Sequence, residues 1–131
     1  MRKDIDIPKS DGVYVAAVKE FNETHRTNDW NAYIINDLNE PLELVLIVSN
    51  GYNDQKVTSQ MRHKLQLLPA KGYAKIEFIE DSVLELTNEF AVTYFLGGTL
   101  FEKKFVFQAS SISDETTGPI PVMPKEGVLA S

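Results

Sequence analysis

The sequence contains no cysteine. That excludes a disulfide framework, thiol catalysis, an iron–sulfur cluster and any thiolate zinc site. Positive charge is also scarce: 13 Lys and Arg stand against 19 Asp and Glu, a net charge of −6. A general nucleic-acid binder wants a basic surface, so this balance argues against one. Apolar runs are short, and even residues 44–48 fall far below the roughly 20 residues a membrane-spanning helix needs. Residues 1–11 mix Arg2, Lys3 and Lys9 with Asp4, Asp6 and Asp11. They hold no apolar core of about 7–15 residues, so no signal peptide is expected and the cytoplasm is the expected compartment. Phosphate-binding glycine loops, a G-x-S-x-G elbow and an H-E-x-x-H pair are all missing.

What is present is a chain of 131 residues, 43% apolar, which suits one globular domain. From Val13 to Phe107, short segments rich in β-branched and aromatic residues alternate with turn formers such as Asn50-Gly51 and Asn53-Asp54. Strands are expected at 13–21, 30–37, 42–49, 73–79, 90–96 and 99–107, with a short candidate at 83–86. The last long pair is joined by Gly97-Gly98, which accepts the positive φ angles of a primed hairpin turn. Residues 57–68 fit a helical stripe through Val57, Met61, Leu65 and Leu68. Read as a strand, they place Thr58, Gln60, Arg62, Lys64 and Gln66 on one wholly polar face, and this cleaner partition favours strand. The fold expected is all-β: an antiparallel, immunoglobulin-like β-sandwich of seven or eight strands over residues 1–107. Residues 108–131 are rich in Ser, Thr and Pro, yet Ile120, Val122, Met123, Val128 and Leu129 interrupt them. They read as an extended tail packed on the domain or on a partner.

Catalytic constellations are weak. His25 and His63 could meet with a carboxylate at a metal, but no short ligand pair such as H-x-H supports this. The ordinary reading is one solvent histidine and one hydrogen-bonded at the edge of the core. Ser59 and His63, four apart on a strand, stand about 13 Å apart by strand rise, beyond hydrogen-bond reach. An enzyme using His63 with Ser59, Arg62 and Glu77 is therefore the least favoured class. No cofactor is expected.

Charge is segregated along the chain. Residues 19–54 carry two basic and seven acidic groups, 56–75 five basic and no acidic, and 77–102 six acidic and no Lys or Arg. The ordinary reading is cross-strand pairing between the basic strand and acidic neighbours. The functional one is a site for an anion at Thr58, Arg62, His63 and Lys64, whose hydroxyl, guanidinium and ammonium groups suit phosphate or carboxylate. Several strands are also apolar on both faces. Leu42, Leu44, Leu46 and Val48 oppose Val45 and Ile47, and Ala91 and Phe95 oppose Phe90, Val92 and Tyr94. The outer faces of a two-layer sandwich should be polar. The tail, a partner or a second copy is expected to cover the extra apolar face, with Tyr33, Val45, Ile47 and Phe95 as interface candidates.

The stretches 30–36, 45–52, 58–63, 88–90 and 102–107 resemble a family of small bacterial proteins of uncharacterised activity. The resemblance covers nearly the whole chain. Members of that family often carry a phenylalanyl-tRNA synthetase subunit label. None of the resembling stretches is a catalytic motif, and nothing here corresponds to a synthetase ATP site with its arginines, so aminoacylation is not expected. The resemblance implies at most an accessory role in binding RNA. The leading expectation is a non-enzymatic interaction module, a homodimer or the binder of a protein partner. The alternative is an anionic-ligand or RNA-binding accessory domain.

Overall fold

A computed structural model describes residues 11–131. The mixed-charge opening segment on which the signal-peptide expectation rests lies, apart from Asp11, outside the described residues. Two antiparallel sheets pack face to face. The strands are β1 (Val13–Asn22), β2 (Thr27–Asn36), β3 (Leu42–Tyr52), β4 (Met61–Leu68), β5 (Gly72–Ile79), β6 (Thr87–Leu96), β7 (Thr99–Phe107), β8 (Gly118–Pro119) and β9 (Glu126–Leu129). The first sheet runs β5-β2-β1-β9-β8 and the second β4-β3-β6-β7. The protein is thus an all-β sandwich of immunoglobulin-like type, with its fourth strand beside the third rather than beside the fifth. No helix among the described residues is long and apolar enough to cross a membrane.

The core lies between the sheets. Val13, Val15, Ala17, Ala32 and Ile34 from the first sheet meet Val45, Ile47, Phe90, Val92, Tyr94, Phe105 and Phe107 from the second. Alternation along the uninterrupted parts of each strand sends these side chains inward, and Phe90 and Phe107 meet edge to face with centroids 5.9 Å apart. The β6–β7 turn has Gly97 at φ 58° and Gly98 at φ 82°, as a primed turn requires. The short candidate at 83–86 is not a strand. Residues Asp81–Val83 form a 3-10 turn, because Val83 N–H bonds to Glu80 O and Leu84 N–H to Asp81 O before any ladder partner is reached. The ambiguous segment is a strand from Met61 onward, and before it Val57 makes one isolated bridge to Tyr52.

The segment after Phe107 belongs to the sandwich. Within it, β9 pairs with β1 (Ala16 with Leu129, Ala17 with Val128) and β8 pairs with β9. Ile120 and Met123 close over Ala16, Val18 and Ile35 on the outer face of the first sheet, flanked by Tyr14, Tyr33 and Val122. This second, smaller core explains why β1 is apolar on both sides.

Candidate functional site

A β-bulge reverses the faces expected for β3. Leu44 has φ 48°, and the β3–β6 register shifts between Glu43 and Leu46. The extra residue turns both Glu43 and Leu44 outward, so alternation resumes one step out of phase. Val45 and Ile47 are consequently core residues, 0% and 1% exposed, and are not free to form an interface. Leu44 and Leu46 point to solvent instead, at 45% and 48% exposure. A leucine at positive φ is an uncommon conformation for a bulky side chain. Here it holds an apolar group away from the core.

The outer face of the second sheet reads as rows across four strands. One row is Arg62, Val48, Ala91, Lys104; the next is Lys64, Leu46, Thr93, Glu102. Beyond the bulge, Leu44, Phe95 and Gln66 line a shallow depression of about 310 Å³, with Leu100 opposite Phe95 on β7. Leu67 and Leu100 are 51% and 49% exposed. The face therefore carries a bulky ridge on β3 beside a strip of small side chains on β6. Over that strip lies a second depression of about 250 Å³, walled by Glu102 and Lys104.

Of the expected interface residues, Phe95 alone lies on this face. Tyr33 is on the outer face of the first sheet, half-buried beside the C-terminal segment, and its hydroxyl donates to Glu20 Oε1 at 2.7 Å. Burial and the neighbouring carboxylate both raise the Tyr33 pKa. Glu20 also accepts from Asn31 Nδ2 at 2.9 Å and pairs with Lys125. Burial acts to raise the Glu20 pKa, but hydrogen bonds from Lys125, Tyr33 and Asn31 outweigh it and hold the carboxyl below its ordinary value. Burial likewise raises Tyr94 in the core to about 12.

The four residues proposed for an anion do not converge. Arg62 and Lys64 face outward, side by side on β4, and neither forms an ion pair with another described residue. His63 alternates inward. Thr58 precedes the strand, where its hydroxyl accepts from Gly51 N–H at 2.8 Å. Cross-strand pairing with acids is not the arrangement at Arg62 and Lys64, because their β3 partners are Val48 and Leu46. Lys71 does pair with an acid, Asp37, at 2.8 Å.

His63 Nε2 lies 2.8 Å from Glu77 Oε1, which also accepts from Ser49 Oγ at 2.6 Å. The group stands beside a cleft of about 570 Å³ whose lining includes Ser49, Thr58, Ser59, Glu77 and Asn88. Nucleophile activation needs the imidazole between hydroxyl and carboxylate. Here the carboxylate occupies the middle, so the group links β3 and β4 to β5 across the sandwich and sets no imidazole beside the hydroxyl. His25 lies apart from it, in the β1–β2 turn, with its N–H bonded to Asn22 Oδ1. No group of three or more His, Asp or Glu among the described residues is placed to hold a metal.

Sequence reasoning missed Leu44, Leu46 and Leu100 as surface groups, and Ala91 and Thr93 as a hollow. The row of Leu42, Leu44, Leu46 and Val48 was visible, but nothing in the residue types marks the bulge that splits Leu42 from the others. Comparison with known proteins adds no assignment: no family model, no curated protein and no solved structure matches this chain.

Proposed function

We propose that this protein is a non-enzymatic, cytoplasmic interaction module that binds a protein surface through the outer face of its second sheet. One observation carries the reading. Among the described residues, Ile120 and Met123 cover the outer apolar face of the first sheet, yet Leu44, Leu46 and Leu100 are about half exposed on the second. Contiguous apolar surface of this kind, rimmed by charge, is the usual mark of an interaction site. The absence of cysteine suits a reducing compartment.

The test is a photoreactive residue at position 46 in the full chain, compared with one at Glu85, which is exposed and off the face. A discrete adduct from position 46 alone, lost when Leu44 is replaced by Asp, is the expected result. Equal labelling from both positions removes the proposal. A second reading, an anionic ligand or RNA at Arg62 and Lys64, draws on the outward placement of two adjacent cations. It fails if Arg62→Glu with Lys64→Glu leaves binding to polyanions unchanged.

A further inference from the structure

The same face fits itself. We infer that its partner is a second copy of this chain, related by a two-fold axis running nearly parallel to the strands between β3 and β6; this rests on the reading of the face as an interaction surface. Such an axis preserves height along the strands and exchanges left for right. It lays β3 of one copy over β6 of the other, and β4 over β7. The ridge of Leu46 and Val48 then meets the hollow over Thr93 and Ala91, once in each direction. Below it, Leu44 of each copy reaches the level of Phe95 in the other, the two residues that share a depression within one chain.

Charge follows the same exchange. The β4 edge of the face carries Arg62 and Lys64, while the β6–β7 side carries Glu89, Glu102 and Lys104. Lys64 and Glu102 share a row. The two-fold therefore sets Lys64 against the other copy's Glu102, twice. Arg62 meets Lys104 at a point where Lys104 Nζ already lies 3.9 Å from Glu89 Oε2, so like-charge repulsion is offset. An isologous contact needs this self-complementarity of shape and charge. A heterologous partner would have no reason to match the ridge, the hollow and the Lys64–Glu102 pairing of one face at once.

The size of the face sets the strength. Four strands spaced about 4.8 Å and about seven residues rising roughly 3.4 Å each give a patch of roughly 19 by 24 Å. That is small beside the roughly 800 Å² per partner of a standard interface, so the association is reversible and in the micromolar range.

Sedimentation velocity over about 5–300 µM tests this. The expected result is a weight-average mass rising reversibly from 14.8 kDa toward twice that value. Ala91→Trp, at an exposed site, fills the hollow and should weaken association at least about tenfold with an unchanged far-UV spectrum. Lys64→Glu and Glu102→Lys should each weaken it roughly fivefold, and the two together in one chain should restore it. A monomer throughout the range overturns the second copy, as does a double variant no better than the singles. The position-46 adduct separates the two ideas. An adduct of twice the chain mass supports both. An adduct of another mass from a monomeric protein overturns this inference and leaves the interaction surface standing. Absence of any adduct overturns both.

Discussion

Asn36 sits fully buried at the end of β2, where its side chain ties together two separate stretches of backbone. Its amide nitrogen shares two hydrogens among Glu40 O at 2.9 Å, Pro69 O at 3.0 Å and Leu68 O at 3.3 Å, while its oxygen accepts from Leu38 N–H at 3.0 Å. In the sequence this residue falls near the end of the strand expected at 30–37. Its amide is in fact the joint between the β2–β3 and β4–β5 connections, a role that depends on loops brought together only by folding. Asn36→Ala takes a donor from Glu40 O and Leu68 O and an acceptor from Leu38 N–H, while Pro69 O keeps Gly72 N–H at 3.0 Å. The cost is about 1–3 kcal/mol for each group that water cannot reach. A loss of about 3 kcal/mol in urea unfolding is expected, with the slope of the transition unchanged. Glu20 is the acidic counterpart. Its folded pKa lies below the ordinary 4.5, so it stabilises the fold above that pH and loses the contribution as pH falls through the lowered value. The thermal midpoint should therefore drop between about pH 5 and pH 3 more steeply in the native chain than in Glu20→Gln. Parallel pH profiles for the two proteins would show that the Lys125 and Tyr33 contacts contribute nothing.

At the level of elements, alternation was a good guide wherever a strand runs without interruption. The polar face of β4 with Arg62 and Lys64 is an example, and so is the two-glycine hairpin after β6. Alternation misled at β3, because one residue at positive φ inverts everything after it and leaves no compositional trace. The C-terminal segment was legible as more than a linker from its spaced apolar residues. Its pairing partner was not, since four residues of β9 carry too little pattern to specify β1. The docking of β9 depends on Gly127. A Cβ placed there would stand 2.7 Å from the backbone Ala17 O and 3.1 Å from the buried side-chain methyl Val18 Cγ2, both on β1. Gly127→Ala forces β9 away from β1, at a cost typical of overpacking, about 1–3 kcal/mol. Trypsin should then cut after Lys125 at least several-fold faster while β1–β7 stay folded. Unchanged cleavage would mean that β9 is held by its side chains alone.

For the whole molecule, the net charge of −6 describes no part of the surface well. The basic block of 56–75 does not form one patch: Lys71 pairs with Asp37 at a turn, Lys75 lines a depression on the first sheet with Glu20 and Asp29, and Arg62 with Lys64 edges the second. Among the described residues the two sheets also differ, one outer face being closed by Ile120 and Met123 and the other carrying no such cover.

The last residue adds a further asymmetry. Ser131 N–H bonds to Val106 O at 3.0 Å and Val106 N–H to Ser131 O at 3.1 Å. A segment that pairs with β1 in the first sheet thus ends stitched to β7 in the second. The sandwich resembles a book bound along that side, while the β4–β5 side is a fore-edge held at one corner by the turn after Leu68 and fastened along its length by His63, Glu77 and Ser49. Opening motions should swing about the bound side. Amide hydrogens of β4 and β5 should accordingly exchange with solvent about ten times faster or more than those of β1 and β6. Glu77→Ala, which cuts the fastening, should widen that gap, and a uniform exchange pattern would show that no such spine exists.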